Sequence, residues 1–269
     1  MIDVKMDNIS EVTLKKQGVR QMFGAIAGTY DFLNHLLSLN RDHAWRRRAA
    51  KLADLRPGER LLDLCCGTGD VAIAFREAQP ALAEITGVDF SPEMLELAEK
   101  KAGGWRLEAG GNPQSKIQNR KSEIPPDANR CKQLEIQWLC ADAENLPLPD
   151  NAYDCVSCAF GIRNLGDPAR GLAEVARVLK PGGRAVILEF APPANPLMRR
   201  VYNAYFRRLL PLIGNLISRS TAYDYLPQSV GAFHAAELLP RLFQENRLRL
   251  DRRETHNLGG VLIFVAIKT

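Results

Sequence analysis

From residue 60 onward, short apolar runs alternate with stretches whose apolar positions recur at helical spacing. Residues 60–65, 85–89, 136–141, 153–160 and 184–190 read as buried strands bounded by turn signals. Residues 71–78, 92–101 and 169–179 read as the helices between them. Strands alternating with helices predict parallel βαβ units and a doubly wound sheet. The glycines at 67 and 69 and the Pro181-Gly182-Gly183 run support the boundaries. A helix over 232–244 and two last strands, 249–253 and 260–267, complete the pattern. No internal repeat is present.

Three segments fall outside this rhythm. Residues 19–48 are helical in pattern, with Phe23, Ile26, Tyr30, Leu33, Leu36 and Leu37 apolar. Residues 103–133 carry Gly103-Gly104, Gly110-Gly111 and Pro125-Pro126 and almost no periodicity, which predicts a flexible insertion. In 195–225, Asn195 can cap a helix and Pro196 fits its first turn. On a helical wheel Met198, Val201, Tyr202, Tyr205, Phe206 and Leu209 share one face. Arg199, Arg200, Asn203, Arg207 and Arg208 share the other.

Composition narrows the class. The chain has 269 residues, 46% hydrophobic and 25% charged, which excludes a disordered, collagenous or coiled-coil protein. No apolar run approaches the roughly 18 residues of a membrane span, and the N-terminus lacks the apolar core of a secretory signal. The net charge of +5 permits an acidic partner. Basic and aromatic residues are not interleaved, however, so nucleic acid is not expected. Cys65 and Cys66 are adjacent in a strand. Cys155 and Cys158 lie three apart in another, pointing to opposite faces, so all four read as packed, reduced thiols of a cytoplasmic protein. His35, His43, His234 and His256 show no ligand-like spacing, and no metal is expected.

The strongest local signal is LDLCCGTGD, residues 62–70. An apolar strand enters a Gly-x-Gly turn and then a helix, whose first N–H groups are free. Glycines at 67 and 69 let backbone approach a ligand closely. Asp89 ends the next strand, where a carboxylate can accept both ribose hydroxyls of a nucleoside. Gly67-x-Gly69-x-x-Ala72 also fits a dinucleotide fingerprint. Three features favour S-adenosylmethionine. Asp63 lies inside the strand, placed to organise the loop or meet a cationic amino-acid tail. Asp142 ends a later strand, where an acid can meet an adenine amino group. Lys180-Pro181-Gly182-Gly183 precedes another strand.

These stretches resemble a class I S-adenosylmethionine-dependent methyltransferase, and more narrowly the ubiquinone/menaquinone biosynthesis C-methyltransferases. The matching segments are VRQMFGAIAGTYDFLNHLLS (19–38), LDLCCGTGD (62–70), GVDFSPEML (87–95), the run 141–190 and the segment 202–229. The Tyr30-Asp31 segment, Phe160-Gly161-Ile162-Arg163-Asn164 and the segment 223–226 are specific to that family. The resemblance implies a Rossmann-like α/β fold: a seven-stranded, mostly parallel sheet with an antiparallel last strand and helices on both faces. It divides the chain into a helical cap, 1–59, and a methyltransferase domain, 60–269, with a second covering segment at 195–225. It implies donor contacts from Asp63, Gly67, Thr68, Gly69, Asp89, Asp142, Ala143 and Ala159. Ala159 lacks the hydroxyl of the serine common there, a loss of about 1 kcal/mol.

The implied reaction adds a methyl to a ring carbon of a polyprenylated quinol, most simply demethylmenaquinol. Another small aromatic or lipid acceptor is the alternative. Arg163, Asn164 and Tyr30 are the implied catalytic group beside the ring. An arginine can stabilise a phenolate there but is too basic to act as a general base. The amphipathic helix 196–210 has the pattern of an interfacial helix, which would place a cytoplasmic enzyme against the inner face of the membrane. A homodimer is left open.

Overall fold

The computed structural model describes residues 3–103, 105–107, 135–218 and 222–269. Eight strands form one sheet: β1 (Arg60–Leu64), β2 (Glu84–Asp89), β3 (Trp105–Leu107), β4 (Ile136–Cys140), β5 (Tyr153–Ala159), β6 (Leu179–Phe190), β7 (Leu248–His256) and β8 (Val261–Lys268). Their order is β3-β4-β2-β1-β5-β6-β8-β7. All neighbours pair in parallel except at β8, which runs antiparallel to both β6 and β7. The seven expected strands are all present. The eighth, β3, lies within the segment expected to lack structure, where Trp105 to Leu107 pair with Gln137 to Leu139. The rest of that insertion, 108–134, is outside the described residues.

Both faces of the sheet are covered, so its inner strands are apolar on both sides, whereas the edge strand β7 is charged and largely exposed. Leu62, Leu64, Val156, Cys158 and Phe264 pack on one side with α5 (Pro168–Val178) and α9 (Ala235–Glu245). Leu61, Ile85, Cys155, Val186 and Ile263 pack on the other with α2 (Arg41–Ala53), α3 (Asp70–Ala78) and α4 (Pro92–Ala102). Cys155 and Cys158 thus lie on opposite faces, and the described cysteines are free thiols.

α1 (Asp3–Leu37) is one long helix. The helical pattern of 19–48 is broken after it, because Leu39 and Asn40 adopt φ of 54° and 58°. That left-handed pair reverses the chain into α2, whose Trp45, Ala49 and Ala53 join the sheet core. α1 instead packs Ile26 and Leu33 against Phe206 and Leu210. These belong to the segment after β6: α6 (Pro196–Ala204), a π-turn at Tyr205–Leu209, and α7 (Leu210–Ser218). Asn195 caps α6, accepting the N–H groups of Leu197 and Met198 at 2.9 and 3.2 Å. The π-turn breaks the 3.6-residue repeat, so the single apolar face read along 196–210 is divided. Phe206 is buried, whereas Val201 and Leu209 are exposed. α8 (Ala222–Phe233) follows and ends at His234, φ 47°, which separates it from α9 inside the helix expected over 232–244.

Candidate active site

The turn after β1 takes the shape its residues allow. Cys65, Gly67 and Gly69 all have positive φ, at 54°, 54° and 83°. A Cβ on Gly69 would sit 2.5 Å from the Trp138 ring, so glycine alone lets the turn close over β4. Asp63 is wholly buried beneath it. It accepts Ala72 N–H at 3.1 Å and the Ser157 hydroxyl at 2.7 Å. Both its oxygens therefore fix the turn and the start of α3. Burial pushes its carboxyl up to about 7. Of the two roles expected for Asp63, the geometry fits loop organiser, since both its oxygens are engaged and neither it nor Gly69 lines either of the two cavities beside the turn.

A cavity of about 340 Å³ opens at the carboxyl ends of β1, β2 and β4. Asp89 faces it, with Gly67 N–H on one carboxylate oxygen and Ser91 N–H on the other, each at 2.9 Å. A lone pair remains on each oxygen for a ligand. Burial pushes this carboxyl above its ordinary value, against the pull of those N–H groups. Asp142 and Ala143 line the same cavity. Asp142 accepts Lys16 Nζ at 2.8 Å and Glu144 N–H at 2.9 Å. Lys16 also pairs with Glu144 at 2.8 Å, so α1 is clasped across the opening.

A second cavity of about 330 Å³ shares Phe23, Tyr30, Cys65, Gly67, Ala159 and Phe160 with the first. Its walls are aromatic. Phe160 stacks on Phe190 at 4.3 Å, and Tyr202 on Phe206 at 4.1 Å. Arg163 brings a cation to it and is 7% exposed. Its Nη1 donates to Glu189 Oε1 at 2.7 Å and to the Phe160 carbonyl, and its Cζ lies 5.5 Å from the Phe190 ring centre. Tyr30 stands between the cavities, edge-on to Phe23. Burial holds its hydroxyl above the usual tyrosine range, against Asn34 and Arg163.

Asn164 and Thr68 each line a different cavity from the residues they were expected to accompany. Asn164 lines the Asp89 cavity, not the aromatic one. Arg163 and Asn164 sit in a 3-10 turn, Ile162–Asn164, where successive side chains diverge by about 120°. Thr68, expected at the donor, lines the aromatic cavity instead. Its hydroxyl donates to Asp31 and accepts from Lys101 Nζ.

Comparison with known proteins decides the family. The model of the ubiE/COQ5 methyltransferase family matches residues 11–108 and 120–268. The chain is 43% identical to a demethylmenaquinone methyltransferase of Deinococcus radiodurans, covering 93% of this chain and 92% of that one. It is 46% identical to a protein of the same name from Thermus thermophilus, covering 81% and 87%. A ubiquinone/menaquinone biosynthesis C-methyltransferase UbiE of Geobacter sulfurreducens is 41% identical, covering 96% and 91%. The chain belongs to the ubiE/COQ5 methyltransferase family. The fold agrees: a SAM-dependent methyltransferase from Thermotoga maritima superposes with a TM-score of 0.57 at 18% identity, over 93% of this chain and 100% of that one. One from Aquifex aeolicus gives 0.56 at 17% identity, over 89% and 98%. This methyltransferase therefore uses S-adenosylmethionine as its methyl donor.

Several residues of the methyltransferase site escape sequence reading. Lys101 bridges Asp31 at 2.5 Å and Asp70 at 2.6 Å, tying α1 to the glycine turn. Glu189 is fully buried beside Arg163; a lone acid in the apolar run 185–190 was its only signal. His35, Asp42 and His43 also come together, their ligand-type atoms within 4.8 Å of one another. The reversal at Leu39 and Asn40 makes this grouping, which linear spacing hides. Asp42 is already engaged there by His35 at 2.7 Å, by the Ser38 hydroxyl at 2.6 Å and by Arg46. The cluster thus pins the α1–α2 corner.

Proposed function

We propose that the enzyme transfers the methyl of S-adenosylmethionine to a ring carbon of a polyprenylated quinol, demethylmenaquinol giving menaquinol. The observation that carries this reading is a cation, Arg163, held at an aromatic-walled cavity that shares a wall with a carboxylate-lined one. The donor fits the second of these. Asp89 keeps lone pairs for ribose hydroxyls, Gly67 offers close backbone, and Asp142 with Ala143 borders the adenine position. Asn164 also lies on the donor side. When bound, the donor supplies a methyl already activated on a sulfonium, so the chemistry calls for no metal.

The acceptor carbon must be made nucleophilic. An oxidised quinone ring is electron-poor; a reduced ring with one hydroxyl ionised pushes electron density onto the adjacent carbon. Arg163 stabilises that phenolate in a site with little water, where such a charge contact is strong. Tyr30 and Ala159, shared by both cavities, align carbon and methyl. α1 and the helices within 195–225 serve as the cap that excludes water, whereas α2, also within 1–59, is built into the core of the 60–269 domain.

A polyprenyl tail has to leave the cavity through an apolar mouth. Leu39, Leu258 and Val201 line the cavity and are 78%, 77% and 61% exposed. Arg199, Arg200, Arg207 and Arg208 lie on the exposed side of the adjoining helix. We read this rim as the contact of a cytoplasmic, peripheral enzyme with the inner face of the membrane. No helix of the described residues is long and apolar enough to cross it. The test is methyl transfer to demethylmenaquinol and to a demethylated benzoquinol, each reduced and oxidised. Turnover of the reduced naphthoquinol is expected. Equal turnover of oxidised and reduced rings would refute the carbon-nucleophile reading.

A further inference from the structure

A phenol on the wall of the aromatic cavity is left unused by the fold. Among the described residues, Tyr202 Oη is buried without a hydrogen-bond partner, and its side chain lines that cavity. Two other tyrosines of the same wall are engaged. Tyr205 donates to the Leu37 carbonyl, and Tyr30 is hydrogen-bonded to Asn34. A buried hydroxyl without a partner costs free energy that a finished core avoids. On a cavity wall, such a group points to a polar atom of the ligand.

The Tyr202 ring is held so that its hydroxyl cannot swing to another partner. One face stacks on Phe206, with 4.1 Å between centres and 17° between planes. Its edge meets bare backbone, since a Cβ on Gly260 would sit 3.1 Å from ring carbon Cε2. Burial raises the phenol above the usual tyrosine range, so the group stays an O–H donor. The cation of the cavity is a separate point. Arg163 comes from the 3-10 turn and lies over Phe190. Phe190 meets Phe206 edge-on at 5.6 Å between centres, and Phe206 in turn carries Tyr202. No hydrogen bond joins Tyr202 to Arg163. Two donors from different elements thus border one aromatic chamber, with a gap between them.

We propose that Tyr202 donates a hydrogen bond to the acceptor's second ring oxygen, the one across the ring from the oxygen held by Arg163. This rests on the quinol reading above. It makes the site selective for rings oxygenated at both ends, a pattern that naphthoquinols and benzoquinols share and a simple phenol lacks. The oxygen beside the acceptor carbon becomes the phenolate and is matched to the cation. The opposite oxygen keeps its proton and gains no charge, so a neutral phenol suits it. Tyr202 therefore grips and orients the ring, and no bond is made or broken at its hydroxyl. A contact equally strong in the ground state and the transition state acts on KM and not on kcat.

The experiment compares wild type with Tyr202→Phe on short-tailed demethylmenaquinol. A naphthol analogue that keeps the hydroxyl beside the acceptor carbon and lacks the opposite one is read as a competitor, so it needs no turnover. S-adenosylmethionine affinity and the Tm of the ligand-free protein are measured on both proteins. Tyr202→Phe should raise KM for the quinol about five- to tenfold, the worth of one neutral hydrogen bond, with kcat and donor affinity close to wild type. The naphthol should inhibit both proteins with the same Ki, because the oxygen that Tyr202 binds is absent from it. The Tm of the variant should equal or exceed that of wild type, since an unpartnered hydroxyl has been removed. A Ki raised as much as the quinol KM would mean that Tyr202 acts through packing and would overturn the proposal. An unchanged quinol KM overturns it too. A lowered Tm, or a variant that does not fold, would make the hydroxyl a contact of the fold itself, with the same result. Wild type that leaves the quinol unmethylated instead refutes the quinol reading, and this proposal falls with it.

Discussion

Asp89 and Asp63 stand on either side of the glycine turn, and their hydrogen bonds separate their roles. Asp89 takes one backbone N–H on each oxygen and keeps capacity for a ligand. Replacing it by alanine should weaken S-adenosylmethionine binding by about 1.5–3 kcal/mol, the range for hydrogen bonds to a charged group. Part of that loss would come from Gly67, whose N–H loses its acceptor. Titration calorimetry reads the change, and an unaltered affinity would remove Asp89 from the donor site. Asp63 is instead spent on Ala72 and Ser157, and its signature is stability. Its carboxyl titrates near 3.8 when unfolded and at about 7 when folded. Between those values the folded protein holds a proton that the unfolded chain has lost. Stability therefore falls as pH rises through that window and levels off above it. Asp63→Asn carries no such proton and should lose this slope in denaturant unfolding. Parallel pH dependences for the two proteins would show that Asp63 is charged in the core. Motif residues such as Asp89 and Arg163 were legible because their chemistry is tied to fixed places at strand ends. Glu189 and Lys101 were not, because their partners come from distant segments that only the fold brings near.

The same contrast holds for elements. Six of the seven long strands were legible because they are buried and read as apolar runs; β7, an exposed edge strand, alternates instead. Breaks within helices were not. Asn40, Leu39 and His234 reverse or interrupt helices through left-handed backbone without a glycine to announce it, and the π-turn after α6 shifts the periodicity just before Pro211, which lacks the N–H an α-helix would bond to the Arg207 carbonyl. The position of α1 was hidden too, since nothing local to Lys16 marks Asp142 and Glu144 as its partners. That clasp crosses the opening of the Asp89 cavity, the one proposed above for the donor. Lys16→Met should open it and speed release of S-adenosylmethionine roughly two- to fivefold, in keeping with the 0.2–1 kcal/mol of a partly exposed pair. The change should shrink at high salt in the wild type, where the pair is already screened. Stopped-flow displacement measures the rate. Equal off-rates at low salt would mean that the clasp does not retain the donor.

At the scale of the whole molecule, the question is how a substrate with a water-insoluble tail reaches a buried ring site. Packing alone would explain an amphipathic helix, and most such helices do turn their apolar side to the core. Tyr202, Tyr205 and Phe206 follow that rule. Leu197, Val201 and Leu209 do not, with 62%, 61% and 46% of their surface exposed, and Leu212 and Leu216 on α7 are more exposed still. Together with Leu39 and Leu258 at the cavity mouth, this apolar surface has neighbouring arginines suited to anionic headgroups, each contributing about 1 kcal/mol near such a surface. The enzyme should therefore float with anionic liposomes at low salt and release as salt rises. Changing Arg199, Arg200, Arg207 and Arg208 to glutamine should abolish flotation while leaving S-adenosylmethionine affinity intact. Leu39→Ser with Leu258→Ser should weaken flotation less and raise KM for a long-tailed quinol more than for a short-tailed one, if the tail leaves by the mouth those residues line, as proposed above. Wild-type protein that stays in the aqueous layer at low salt would sink surface docking. The tail would then have to be delivered by a soluble carrier that covers the same leucines.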